Sequence, residues 1–341
     1  MNPFRTLLLL LAGGSIAGAQ VPVLVVQESG TTALLQAVSV NARNPREVWI
    51  SGHRGTYATT VDGGATWRSA VVPGRDSLQF RDVHAVDARR AWLMAAGNGP
   101  RSMILQTVDG GATWAPVFVN TDSASFYDCM AFWDETHGFA FSDASNGRMP
   151  IVRTSNGRDW TLSSIPAPDG EGGFAASGTC AVANSAGDSW IGTGAAAFPR
   201  VLHSGDRGVT WTEARVPLVA GPGAGVTGVA FRDRRHGIAV GGAIGGTASG
   251  PRVARTTDGG RTWSVAADPP LTGALFGVAY TKAVGKTIVV AVGPGGAAYS
   301  LDEGATWALL DASPYWSLGF GRDGAGWLVG PGGRVVRVDW R

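Results

Sequence analysis

The sequence predicts an all-β protein, a seven-bladed β-propeller of four-stranded antiparallel blades, and three observations carry that prediction. First, an eight-residue motif, Thr60-Val61-Asp62-Gly63-Gly64-Ala65-Thr66-Trp67, returns as Thr107 to Trp114, Ser204 to Trp211, Thr256 to Trp263 and Ser300 to Trp307. A worn copy, one residue short, runs from Thr154 to Trp160. Second, its acidic or amide residue stands at Asp62, Asp109, Asn156, Asp206, Asp258 and Asp302, a spacing of 44 to 52 residues. Repeats of that length with strand-like flanks mean a propeller or solenoid. Third, 51 Gly and 13 Trp with only 16% charged residues suit short strands joined by tight turns.

The motif is a hairpin turn that holds itself shut. Its Asp or Asn accepts hydrogen bonds from backbone N–H groups ahead of it, Gly supplies a positive φ, and the Thr hydroxyl satisfies another turn group. The Trp that follows (Trp67, Trp114, Trp160, Trp211, Trp263, Trp307) begins the next strand and lays its apolar face on the neighbouring repeat. These boxes resemble the Asp-box, or bacterial neuraminidase repeat, and each follows a Trp-x-x-Gly strand. The fuller pattern is similar to the propeller family of photosystem II stability and assembly factors, and more loosely to sialidases and xyloglucan-cleaving propellers. The resemblance spans nearly the whole chain. It implies a structural box placed away from any active site.

Each repeat reads as four strands. Blade 1 takes 34–40, 47–52, 56–60 and 66–72; blade 2 takes 81–86, 91–96, 103–107 and 113–119. Blade 3 takes 127–133, 138–142, 151–154 and 160–165, and blade 4 takes 179–183, 189–193, 201–204 and 210–216. Blade 5 uses 226–231, 238–242, 253–256 and 262–266, and blade 6 uses 275–280, 287–292, 297–300 and 306–310. Only three strands remain for the seventh blade, at 316–320, 326–330 and 334–339, with no box. An exposed edge would leave unpaired backbone groups, so the strand-like stretch at 21–27 is expected to close the ring.

The N-terminus reads as a secretory signal peptide over 1–19: one Arg, the apolar run 6–12, and small residues ending Ala17-Gly18-Ala19. The run is far shorter than the roughly 20 residues that span a bilayer, so an exported, periplasmic or extracellular protein without an integral membrane segment is expected. Residues 20–341 then form one domain, expected to be monomeric. A net charge of +2 argues against nucleic acid as partner. Two cysteines in an exported chain permit a disulfide. Cys129 precedes Phe139, and Cys180 precedes Trp190, by the same interval, which puts them at matching places on adjacent inner strands. Either a bridge or two small buried thiols fits that placement.

In a propeller the second-to-third connections share one face with the outer-to-inner connections, and the box turns emerge on the other. The longer loops therefore share one face, where function concentrates. An Arg recurs in the second-to-third connection, at Arg54, Arg101, Arg148, Arg200, Arg252 and Arg334, and fails only in blade 6. Around a ring these would form a collar for a carboxylate, a phosphate or an acidic protein loop, since Arg offers forked donors and keeps its charge. Against that stands the ordinary reading of Arg as a solvated residue inherited with the repeat. A glycosidase needs two carboxylates across the scissile bond, and Asp82, Asp128, Asp169 and Glu171 are the candidates on this face. The sialidase constellation is disfavoured, because none of the five Tyr has an evident Glu partner. His137 and His236 fall in Asp-x-x-His-Gly turns two blades apart, a turn pattern rather than a metal site, and no nucleotide fingerprint occurs. No cofactor or metal is expected. The resemblance implies a non-enzymatic exported propeller that binds a protein partner or assists assembly of a membrane complex. The alternative is a hydrolase acting on extracellular glycan.

Overall fold

The structure, a computed structural model, describes residues 22–245, 249–283 and 285–341. The expected signal segment lies outside the described residues. Seven four-stranded antiparallel sheets follow one another around a ring. Blade 1 contains Leu35–Val40, Val48–Gly52, Thr56–Thr60 and Arg68–Val71. Blade 2 contains Phe80–Ala85, Ala91–Ala95, Met103–Thr107 and Ala115–Val119, and blade 3 Tyr127–Phe132, Gly138–Ser142, Arg148–Thr154 and Trp160–Pro166. Blade 4 contains Ala181–Ala183, Ser189–Gly192, Arg200–Ser204 and Thr212–Arg215. Blade 5 contains Ala224–Phe231, Gly237–Ala243, Val253–Thr256 and Ser264–Val265, and blade 6 Gly277–Ala283, Lys286–Gly293, Gly296–Ser300 and Ala308–Asp311. Blade 7 has Ser317–Phe320, Gly326–Val329 and Val335–Trp340, and its outer strand is Pro22–Gln27 from the other end of the chain. The pairing runs from Pro22 opposite Trp340 to Gln27 opposite Val335. Among the described residues no helix is long and apolar enough to cross a membrane.

The boxes close as their chemistry dictates. In blade 1 the Thr66 amide and hydroxyl donate to the two Asp62 carboxylate oxygens at 2.9 and 2.6 Å, and Gly64 N donates to Thr60 Oγ1 at 2.9 Å. The same bonds recur around Asp109, Asp206, Asp258 and Asp302. The Thr113 hydroxyl and amide hold the Asp109 carboxyl down at about 2. The worn copy closes by another route: Asn156 Oδ1 accepts from the amides of Arg158 and Asp159, while its amide donates to the Asp159 carboxylate at 2.8 Å. Glycine is required in these turns. Gly111 has φ of +89°, and a Cβ there would fall 2.6 Å from the Tyr57 hydroxyl, which donates to the Gly111 carbonyl.

The box Trp precedes the outer strand in blades 1, 2, 4, 5 and 6 rather than opening it, and only Trp160 starts its strand. Its expected packing holds: Trp114 lies edge-on against Trp49 and Tyr57 of the preceding blade, and Trp211 against Phe139. The second-strand Trp reaches the other way. Trp92 and Trp190 are 1% exposed, and their indoles donate to Gly157 and Gly259 carbonyls in the next blades' boxes at 2.7 and 2.9 Å. Blade 7 lacks a box of its own, and Gln27 closes the ring by accepting from both Trp67 and Trp327 at 3.0 Å.

Of the two readings left open for the cysteines, the structure has the bridge: Cys129 and Cys180 form a disulfide with Cα atoms 6.0 Å apart, across a separation of 51 residues. Constraint of the unfolded chain gives such a bridge about 2–5 kcal/mol. We expect reductant to lower the melting temperature of the folded protein, and alkylation without reductant to leave both sulfurs unlabelled; full labelling would rule the bridge out.

Candidate functional site at the channel mouth

The first turn of the inner strands decides what faces the channel on the loop-rich side. In blades 1, 2, 3 and 5 the pairing between the first two strands skips one residue, leaving Gln36, Arg81, Asp128 and Thr227 as bulged positions. A bulge kinks the strand and re-aims the extra side chain. Phe276 and Trp316 occupy the matching places just ahead of the inner strands of blades 6 and 7, and their rings meet edge to face at 5.2 Å. One side of the mouth is therefore polar and the other aromatic.

The connection between blades 3 and 4, residues 167–180, crosses this mouth instead of standing clear of it. Arg81 Nη1 donates to the Ala175 carbonyl, Gln36 Nε2 to Ala176, Ser177 Oγ to Phe276 and Ser317 Oγ to Ser177. The loop thus bonds to blades 1, 2, 6 and 7, with Ala175, Ala176 and Ser177 buried. The disulfide secures its far end at Cys180.

Between loop and ring lies a cavity of about 480 Å³, lined by the polar side chains of Gln36, His53, Arg81, Asp128 and Asp143 and by the rings of Phe126, Phe174, Phe276 and Trp316. Asp128 and Asp143 are hydrogen-bonded to each other. Burial, and then Asp143, raise the Asp128 carboxyl well above the usual range, and burial lifts Asp143 to about 6. Two carboxyls in contact cannot both ionise cheaply, so they retain a shared proton. Gly173 N donates to Asp128 Oδ2 at 3.3 Å, and the loop passes so near that a Cβ on Gly172 would overlap Asp143 Oδ1. Burial, and then Arg81 and Arg54, lower His53 and keep it neutral. Two buried atoms of this lining, Gln36 Oε1 and His53 Nε2, have no hydrogen-bond partner among the described residues.

The residues singled out from the sequence fall in different surroundings. Of the acids, only Asp128 lines the cavity. Asp82 is buried behind it, accepting from the amides of Val83 and Met130 at 2.8 Å, with burial raising it to about 8. Asp169 accepts from Gly147 N at 2.6 Å, and Glu171 is wholly buried against Arg200. Retaining and inverting glycosidases hold their carboxyls roughly 5 to 9.5 Å apart with the substrate between; Asp128 and Asp143 touch.

The recurring arginines mostly tie loops down. Arg200 is 6% exposed and paired to Glu171 and Glu213. Arg252 is paired with Asp268 at 3.1 Å and donates to the carbonyls of Pro269, Leu271 and Gly273. Arg148 donates to the Ser164 side chain and carbonyl, and Arg101 to the Ser77 carbonyl. Arg334 sits 6.0 Å over the Tyr315 ring. Arg54 is exposed beside His53, in the left-handed region at φ of 57°. His137 and His236 bond to Asp134 and Asp233 of their own turns. No group of His, Cys, Asp or Glu able to hold a metal occurs among the described residues. Sequence reasoning missed Asp143, Arg81, His53 and the aromatic rings. Asp143 and His53 do occupy the same place in their repeats, one residue past the second strand.

The fold and this mouth define the chain as a seven-bladed β-propeller with a loop-plugged channel opening. Among solved structures it is similar to YCF48 bound to D1 peptide, at a TM-score of 0.65 and 17% identity over 93% of this chain and 96% of that one. It is likewise similar to the xyloglucanase of glycoside hydrolase family 74 from Xanthomonas campestris, at 0.66 and 15% identity, where it covers 94% of its own length but 55% of the enzyme's. U3-55K gives a TM-score of 0.63 at 13% identity over 92% of this chain. These likenesses establish the fold. No family model and no curated protein sequence matches the chain.

Proposed function

We propose that the chain is an exported, non-enzymatic propeller whose channel mouth holds a segment of a protein partner, in the service of assembling a membrane complex. The observation that carries this reading is the cavity itself, where aromatic rings stand beside polar groups and the buried Gln36 Oε1 and His53 Nε2 lack hydrogen-bond partners among the described residues. Pockets of this mixed kind bind segments with an apolar body and a few fixed polar groups. The bound D1 peptide named for the YCF48 structure supports a peptide as the occupant. In a photosynthetic parent cell the finer form of the proposal is a photosystem II subunit as partner. The xyloglucanase likeness lends fold-level support to the glycan-hydrolase alternative, but the touching carboxyls favour binding.

The test is capture from the parent cell envelope with wild type and two folded variants, Trp316→Ala with Phe174→Ala, and Arg54→Ala with Arg101→Ala. Loss of one same protein from the aromatic variant, by tenfold or more, is the expected result. Loss only from the arginine variant would move the contact to the exposed guanidinium groups of the loop face. Equal profiles from all three, with glycan cleavage by wild type, would replace this reading by the hydrolase.

A further inference from the structure

Resting on that reading, we infer that the mouth recognises an arginine side chain of the partner, seated on the Asp128–Asp143 carboxyl pair among aromatic rings. Three independent features converge there. The carboxyls lie side by side within a single cavity, and the loop amide of Gly173 is shared between them. Gln36 is 3% exposed, and its unpartnered Oε1 faces the same space. The rings of Phe276 and Trp316 come from blades 6 and 7, while Phe126, whose carbonyl accepts from Asp143 N, and Phe174, next to Gly173, adjoin the pair itself. A guanidinium supplies several donors in a flat fork and stacks on aromatic faces, so it answers carboxylates, amide oxygen and rings together.

The charge balance also admits a cation in exchange for the shared proton. The groups facing the pair are Arg81 from blade 2, neutral His53 from blade 1 with Arg54 beyond it, and buried Asp82 behind the strand. Arg81 is turned toward Gln79 Oε1 and the Ala175 carbonyl. With one shared proton the pair and Arg81 sum to zero. An entering guanidinium restores that balance by displacing the shared proton to solvent. Binding of the cation therefore releases a proton, so affinity rises with pH: Asp143, lifted to about 6, marks where the pair passes from two protons to one, and the shared proton is held to higher pH still.

The probe is a blocked pentapeptide, Ala-Phe-Arg-Ala-Ala, and its twin with citrulline, which keeps the shape and loses the charge. Calorimetry on the full chain at pH 5 and 7.5, in buffers of different ionisation heat, reads affinity and proton release together. The expected result is that the arginine peptide binds at least roughly tenfold more tightly, the advantage of a charge-assisted bond. It should bind more tightly at pH 7.5 and lose the advantage in Asp143→Asn and Asp128→Asn, both checked for unchanged folding by circular dichroism. Equal binding of the two peptides, no binding of either, or an advantage that survives both substitutions would overturn the inference. Envelope capture that still depends on Trp316 would leave the partner-binding reading standing in each of those cases; capture indifferent to Trp316 would remove both.

Discussion

A chain starting at Ser29, without the strand Pro22–Gln27, is expected to melt roughly 10–20 °C below the full-length protein. The strand pairs with Val335–Trp340 over its whole length, and half a dozen ladder bonds at about 1 kcal/mol each set the scale. Leu24 packs into the cluster shared by blades 6 and 7, worth about 2 kcal/mol more. Gln27 is the acceptor for both Trp67 and Trp327, so its loss strands two indole N–H groups at the seam between first and last blades. Release of the strand's own conformational freedom offsets part of this, leaving a net cost on the order of 5 kcal/mol. Differential scanning calorimetry decides the matter. Equal melting temperatures would show that the ring does not need its N-terminal strand.

Arg200→Ala is expected to cost about 3–5 kcal/mol, the range for removing one partner of a buried ion pair. Glu171 is wholly buried, and Arg200 Nε donates to its Oε1 at 2.8 Å while a second bond joins Arg200 Nη2 to Oε2. Without the guanidinium, Glu171 retains only the Thr193 hydroxyl, at 2.5 Å. The reverse change is predicted to be milder, about 1–3 kcal/mol, because Arg200 also pairs with Glu213, whose side chain is 59% exposed and free to follow it. Urea unfolding of both variants tests the asymmetry. Equal costs, or a harmless Arg200→Ala, would show that the pair is not a buried anchor. The consequence reaches the mouth, since Glu171 belongs to the connection that crosses the channel, and its backbone amide and carbonyl bond to Pro168 and Ala144. Arg200 therefore holds the plug from outside the cavity it frames.

The arginines show where sequence and structure part. Their recurrence was legible, yet whether a guanidinium faces a partner depends on which carbonyls and carboxylates lie within its reach. Arg252 meets three carbonyls and Asp268, and Arg200 meets two glutamates, whereas Arg54 stands clear. The acids show the same division. Asp128 was visible as a carboxylate at the head of an inner strand, but the pairing with Asp143 comes from a bulge that turns it and a second strand that ends beside it.

The repeat by itself determined the blade number, the antiparallel order within each blade and the closure by an N-terminal strand. Those properties follow from local chemistry: a turn closed by its own Asp and Thr, a glycine with positive φ, and an edge that must be paired. The tertiary structure alone decided where the connection 167–180 runs. Its anchors, Gln36, Arg81, Phe276 and Ser317, are distant in sequence and meet it only because the ring brings the tops of its inner strands to one opening. A loop's path is set by partners drawn from the whole circle, which no local pattern of residues encodes.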